Sequence, residues 1–403
     1  MKSVLLLTDF YVPNPSANGI CVEKVAKQLV KDGHRVYVLA YGIGNEKDNE
    51  VIDGINVIRV RAPLFFQIRE HNRNSRIMKM VFAIARFFRF VQIALFLPWY
   101  PLSFPVFALK YKNCAIDIVK KRSIDCVIAE YMPIEAMYTL LNMKKKYPHV
   151  CKQAFIVDTF TQCPNANNYR VIYKLSLRWE KRVIAACDNY FYLESFSDYY
   201  GAKSFETYKG KMQAIGLPLI EEKYIKKKES DDEIRMVYTG SWGGERNPRR
   251  IMEIVNGMKY DGKKISFIYY GKYNSLINSL EKEYTFVKNG GFVQSGNMDS
   301  VYETADVLVN IGNSTDMLPS KLFAYMSTGL PILHFYLYQE DPCVAILEKY
   351  KNATILDLKN FSREQLLNAL HNIIGKKMTY KEIVENYHFY EVKEVSNILV
   401  RDC

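Results

Sequence analysis

Two stretches of this chain combine cations with backbone that is free to bind an anion. The first is 307–333, VLVNIGNSTDMLPSKLFAYMSTGLPIL. Its apolar run Val307, Leu308 and Val309 predicts a buried strand. A polar loop from Gly312 to Asp316 follows, and Pro319 and Ser320 then open a short helix that Thr328-Gly329 ends. Free N–H groups and the dipole at such a helix start attract phosphate, and Lys321 in the first turn adds a full charge. The second stretch is 238–250, YTGSWGGERNPRR. Gly240, Gly243 and Gly244 let a ligand approach the backbone closely there, and Arg246 can fork onto phosphate oxygens. Each stretch has a plainer alternative: an ordinary βαβ crossover with a capped helix, or a flexible loop with a solvated arginine. Two carboxylates complete the set. Glu130 in VIAEYMP and Asp158 in VDTFT each follow a strand. Either can act as a base or hold a polar ligand, or simply cap a helix or pair with a basic surface.

These residues have to be positioned by strands and helices, and the pattern is that of an α/β chain. Residues 3–7 predict a parallel strand covered on both faces. A Pro/Asn/Gly-rich loop, DFYVPNPSANG, leads to a helix over 21–31 with Val22, Val25, Ala26 and Leu29 on one side. Gly33-His34 ends it and 36–40 is the next strand, so His34 reads as a turn residue. Further strands are expected at 57–60, 126–129, 154–157 and 190–193, the last closing the sheet, with a helix over 176–186. The run 221–233, EEKYIKKKESDDE, has ten charges in thirteen residues and reads as a solvated linker. A second series follows: strands at 235–239, 265–270, 292–294, 307–309, 331–333 and 353–356. Its helices are expected at 249–258, 276–284, 298–304, 320–328 and 343–349, with one tail helix over 380–400.

The wording of 305–331 resembles the donor-binding region of GT-B glycosyltransferases, especially the retaining family 4. There a strand ending A-D-V-x-V precedes a helix reading roughly P-S-K-L-F-E-Y-M-A-x-G-x-P. The resemblance implies two Rossmann-like domains facing across a cleft. Residues 1–215 would form an acceptor-binding domain, 216–233 a linker and 234–380 a nucleotide-sugar-binding domain, with 381–403 packing back on the first. It also implies positions. The family's two glutamates, eight apart, fall on Asp316 and Ala324, so one carboxylate is kept and one lost. Its loop arginine and lysine fall on Ser241 and Arg246, so one cation is kept. Its glycine pair near the donor phosphates falls on Asn18-Gly19. Its mid-domain histidine falls in the Glu130 segment, which has none. A retaining enzyme does not strictly need that base, because the leaving phosphate can take the acceptor proton.

The implied chemistry is sugar transfer from a nucleotide-sugar donor, a substrate rather than a cofactor, to a lipid-linked or oligosaccharide acceptor, as in bacterial surface polysaccharide assembly. Negative charge grows on the departing diphosphate, which is where Lys321, Arg246 and Ser320 would act. Ala324 and Ser241 motivate an alternative, a catalytically weakened protein serving as a scaffold in such a complex. A nucleotide-sugar epimerase is a third possibility.

Composition sets the remaining bounds. A chain of 403 residues, nearly half hydrophobic, supports two domains. An excess of twelve positive charges suits polyphosphate or an anionic membrane, and no nucleic-acid-binding motif is present. Eight scattered cysteines read as reduced thiols, MKSVLLLTDF is too short in its apolar run for a signal peptide, and a cytoplasmic location is expected. No D-x-D, histidine cluster or cysteine quartet occurs, so no metal is expected. Residues 90–109 carry no charge, yet Pro98, Pro101 and Pro105 argue against a membrane span. With Lys79, Arg86, Arg89, Lys110 and Lys112 around Phe87, Phe88, Phe90, Trp99 and Tyr100, the segment 79–112 fits docking on the inner face of an anionic membrane, or else a buried helical hairpin.

Overall fold

The computed structural model describes residues 1–70, 76–95, 99–143, 146–161, 170–226, 228, 232–240, 242, 246–272, 274–312, 319–401 and 403. The chain divides into two compact units, Met1–Pro218 with Phe389–Cys403, and Leu219–His388.

The first unit is built on strands β1 (Ser3–Leu7), β2 (Arg35–Gly42), β3 (Asn49–Ile52), β4 (Ile55–Arg61), β5 (Cys126–Tyr131), β6 (Cys151–Ile156), β7 (Asn189–Leu193) and β8 (Met212–Ile215). They lie in the order β3-β4-β2-β1-β5-β6-β7-β8. All pairs are parallel except β3 with β4. The order reverses at β1, the central strand, whose five side chains are all buried, as a strand covered on both faces requires. Helix α1 (Ala17–Lys31) begins four residues earlier than its apolar stripe suggests, because Ser16 caps it and accepts the Gly19 N–H at 2.9 Å. Gly33, at φ +83°, turns the chain out of the helix, and the Lys2 N–H donates to His34 Nδ1 at 3.2 Å, a turn role for that histidine.

The uncharged run 90–109 is divided between two helices. Helix α2 (Leu64–Glu70) precedes α3 (Arg76–Leu95), and α4 (Pro105–Arg122) starts with Pro105 in its first turn, where a missing N–H costs nothing. Helix α4 buries Phe107, Ala108, Tyr111, Ala115, Ile118 and Val119 and so belongs to the core. No helix among the described residues is long and apolar enough to cross a membrane. Helices α5 (Ile134–Met143) and α6 (Arg170–Ala186) follow, with a single helical turn at Ser197–Tyr200. The strand expected to close the sheet does not; β8 pairs beyond β7.

The second unit holds β9 (Glu233–Thr239), β10 (Lys259–Tyr260), β11 (Lys263–Tyr270), β12 (Val287–Gly291), β13 (Val307–Ile311), β14 (Ile332–Tyr336) and β15 (Ala353–Asp357). The order is β10-β11-β9-β13-β14-β15, with β12 also against β11. The strand expected at 292–294 lies instead at Val287–Gly291, because one buried apolar residue, Val287, and a pairing to β11 define it rather than the Phe292 run. Helices α7 (Arg249–Val255), α8 (Ser275–Glu283), α9 (Ser320–Met326), α10 (Pro342–Leu347), α11 (Arg363–Ile373) and α12 (Tyr380–Tyr387) surround the sheet.

The tail expected as one helix is two. Helix α12 ends at Tyr387, a short 3₁₀ turn over His388–Tyr390 intervenes, and α13 (Val392–Arg401) packs on α1 within the first unit. Its buried Val392, Val395, Ser396, Leu399 and Val400 recur at helical spacing, and Lys2 Nζ donates to the Val400 carbonyl at 2.6 Å. Gly216 admits Phe389 where that segment returns; a Cβ there would lie 1.8 Å from the Phe389 carbonyl oxygen. The expectation of uniformly reduced thiols is also corrected: Cys126 and Cys403 are joined as a disulfide, with Cα atoms 5.8 Å apart.

Candidate functional site

In the second unit, the site residues lie at the carboxyl ends of parallel strands, where α/β sheets usually bind ligands. Strand β9 ends at Thr239, whose N–H donates to the Tyr325 hydroxyl at 2.8 Å, tying the strand end to α9. Gly240 follows at φ +111°, and its N–H donates to the Tyr270 carbonyl at 2.8 Å. Gly271 is required beside it, since a Cβ there would sit 2.2 Å from the Gly240 carbonyl oxygen. Beyond Gly240 the loop is anchored by Trp242, buried with its ring 4.4 Å from that of Tyr269 and its carbonyl accepting from Asn274 at 2.7 Å. Arg246 comes next.

Helix α9 brings Lys321 to the same place. Its Nζ stands 3.7 Å from the centre of the Tyr238 ring and 3.5 Å from the Thr239 carbonyl oxygen, and Gly240 is the glycine against its stem. Burial first, and then the Arg246 guanidinium, hold the Lys321 ammonium well below the usual lysine range. Arg246 Nε is buried without a hydrogen-bond partner. Among the described residues neither cation pairs with a carboxylate. Two partly buried basic side chains, neither paired with a carboxylate among the described residues, form a site suited to an anionic ligand. Ser320 is the first residue of α9, a helix of seven residues whose preceding Pro319 supplies no side-chain cap. Asp316 and Ser241, with Gly243 and Gly244, lie outside the described residues.

In the first unit, Glu130 is buried near the end of β5 and accepts the Thr8 hydroxyl at 3.0 Å, while its other oxygen has no partner. Burial, and then the neighbouring Asp9, raise its carboxyl well above the ordinary glutamate range. Asp158 is exposed just beyond β6 and is close enough to Glu130 to contribute to that rise. Two carboxyls, one holding its proton more tightly through burial and one open to solvent, can divide acid and base roles. Gly19 has a different setting from the loop expected. It lies in the first turn of α1, its N–H taken by Ser16, and a Cβ would stand 2.0 Å from the Phe10 carbonyl oxygen.

The segment around α3 exposes a stripe at helical spacing: Met80, Ile84 and Phe88, at 60, 49 and 65 %, continued by Leu95 and Trp99. Val106 and Leu109 are exposed on α4. Arg86 and Lys110 are exposed beside them, and Lys112 is half-buried. The side chains of Lys79, Phe87, Arg89 and Phe90 lie outside the described residues. A cavity of about 390 Å³ opens here, lined by Arg61, Gln67, Gln92, Phe104, Val106 and Lys110 among others.

Comparisons with protein-family models and with curated proteins each gave no match. Solved structures do match over the whole chain. Sucrose-phosphate synthase from Thermosynechococcus elongatus aligns over 100 % of this chain and 94 % of its own, with TM-score 0.54 and 11 % identity. The α,α-trehalose 6-phosphate synthase from Burkholderia multivorans aligns over 100 % and 96 %, with TM-score 0.54 and 10 % identity. UDP-GlcNAc 2-epimerase from Neisseria meningitidis, solved bound to UDP-GlcNAc, aligns over 99 % and 98 %, with TM-score 0.51 and 11 % identity. At such identities the likeness carries the fold alone: the chain has the GT-B fold, two Rossmann-like α/β domains.

Proposed function

We propose that this protein is a glycosyltransferase, and that its second unit holds the diphosphate of a nucleotide-sugar donor on Lys321 and Arg246. The carrying observation is the pair of partly buried basic side chains, without a carboxylate partner among the described residues, set beside the Gly240 turn. The fold alone does not separate transfer from epimerisation, since proteins of both kinds are among its likenesses. A nucleotide sugar is the ligand in the epimerase structure, and a cationic cradle serves either reaction. Transfer is favoured by what the first unit offers to an acceptor: the Glu130 and Asp158 carboxyls, and an apolar surface with flanking cations. In this proposal the reaction retains configuration. The departing diphosphate, stabilised by Lys321 and Arg246, takes the acceptor's proton. The acceptor is lipid-linked or an oligosaccharide, presented at an anionic membrane surface, and surface polysaccharide assembly is the setting.

Ala324 sustains a second proposal, a protein that has kept the fold and lost turnover. Titration calorimetry against UDP-, GDP- and dTDP-sugars separates the two. The transferase binds at least one donor, and Lys321→Ala and Arg246→Ala each lower turnover by at least about tenfold. Unchanged turnover in both variants would sink the phosphate assignment. A complete lack of donor binding would leave the scaffold.

A further inference from the structure

Strands β13 and β14 place Asn310 beside His334 in register, and α10 adds Asp341 and Cys343 from its first turn. All four are buried, at 0, 0, 4 and 1 % exposure. His334 Nδ1 lies 2.9 Å from the Asn310 amide, and Asp341 Oδ1 accepts the Cys343 N–H at 2.8 Å. The remaining atoms are His334 Nε2, Asp341 Oδ2 and Asn310 Oδ1; none makes a hydrogen bond of ordinary geometry, though Nε2 and Oδ2 face each other and the Cys343 thiol lies near both Asp341 and Asn310. One ligand atom each from His334, Asp341 and Cys343 falls within 4.8 Å of the others.

We propose that His334 Nε2, Asp341 Oδ2 and Cys343 Sγ bind a divalent cation of the zinc class. The spacing suits it. His334 Nε2 and Asp341 Oδ2 are 3.3 Å apart. That is longer than a charge-assisted hydrogen bond, and it matches the edge, about 3.3 Å, of a tetrahedron with bonds of about 2.0 Å to zinc. The ligand set suits it as well. One imidazole, one carboxylate and one thiolate make a mixed set for a borderline-soft metal, whereas calcium and magnesium take oxygens. The carboxylate and thiolate together neutralise a divalent charge in a place where an unbalanced charge is costly. Asn310 completes the arrangement. Its amide nitrogen stands 2.9 Å from Nδ1, and a half-turn of the amide on metal binding would set the oxygen there to accept the Nδ1 proton and leave the Nε2 lone pair for the metal. Gly312 makes room for the carboxylate, since a Cβ there would lie 2.0 Å from Asp341 Oδ2. The sequence shows no metal-like spacing because His334 comes from a strand and the other two ligands from the helix after it. The cation would pin β14 to the start of α10, whether or not the unit binds a nucleotide sugar.

The test uses the full chain, stripped with a chelator and titrated with cobalt(II) alone while the visible and ultraviolet spectra are followed. The expected result is one cobalt per chain, with tetrahedral d–d bands and a thiolate charge-transfer band. Cys343→Ser, checked for folding by circular dichroism, should lose the charge-transfer band and at least about tenfold in affinity. His334→Asn should weaken binding while keeping that band. A folded wild-type chain with no cobalt spectrum would overturn the proposal. So would a band that survives Cys343→Ser and disappears in Cys151→Ser, because Cys151 is another free thiol, half-buried in the first unit.

Discussion

Lys321 joins the protein's fold to its proposed chemistry through a single proton. Burial and Arg246 lower its pKa, so the folded chain releases that proton at lower pH than an unfolded chain does. A bound diphosphate favours the charged form. Above the lowered pKa, binding must therefore take up a proton, and affinity for a nucleoside diphosphate should fall as pH rises, by up to about tenfold per pH unit. Lys321→Arg stays charged and should flatten the profile, which calorimetry at a series of pH values reads directly. A profile with the same slope in both proteins would remove Lys321 from the binding site. Glu130 gives the opposite case. Its carboxyl is raised by burial and Asp9, so the fold binds a proton that the unfolded chain gives up. Stability present below the ordinary glutamate pKa is then lost as pH rises through the raised value. Glu130→Gln should abolish that dependence in thermal unfolding and unfold at a higher temperature than the native chain in alkaline buffer.

Among the elements, those with a local signal were legible in the sequence, and those defined by distant partners were not. Strands β1 and β13 are apolar runs flanked by turn residues, so their place could be read directly. The start of α1 was not, since it depends on Ser16 as a cap rather than on the apolar stripe. Helix α4 was hidden in a run that reads by composition as membrane-like, until Pro105 is seen to open a helix. The pairing of Lys321 with Tyr238 and Arg246 spans three crossovers, and no spacing rule predicts it. Gly19 shows how a motif can name a residue and misjudge its setting. If it serves the chain packing seen here, Gly19→Ala should destabilise the first unit, because its Cβ would meet the Phe10 carbonyl at 2.0 Å. Nucleotide binding by the second unit should then be unchanged. Loss of donor affinity with an unaltered denaturant midpoint would instead favour a phosphate role. Helix α13 allows a similar test. Leu399 is fully buried on it, and Leu399→Ala should cost about 2–5 kcal/mol in denaturant unfolding of the first unit.

For the whole molecule, the relevant quantities are its charge and the apolar surface it leaves uncovered. The chain carries a net charge of +12. Met80, Ile84, Phe88 and Trp99 are exposed in one segment, with Arg86 and Lys110 beside them. Charge alone would draw the protein to any polyanion, and its reach in physiological salt is only about 8 Å. Apolar residues alone would invite self-association. Together they match the boundary between lipid headgroups and acyl chains, where aromatic and basic side chains are both accommodated. The two contributions separate experimentally in co-sedimentation with lipid vesicles. Binding should be firm on vesicles containing phosphatidylglycerol, weak on pure phosphatidylcholine, and should decline as salt is raised. Replacing Arg86 and Lys110 together by glutamine should cost about 2 kcal/mol, roughly thirtyfold, and should reduce the salt dependence. Phe88→Ser with Trp99→Ser should weaken binding at every salt concentration and leave the salt slope unchanged. If neither pair of substitutions alters vesicle binding, the segment is not the docking surface, and the apolar stripe must be covered by a protein partner instead.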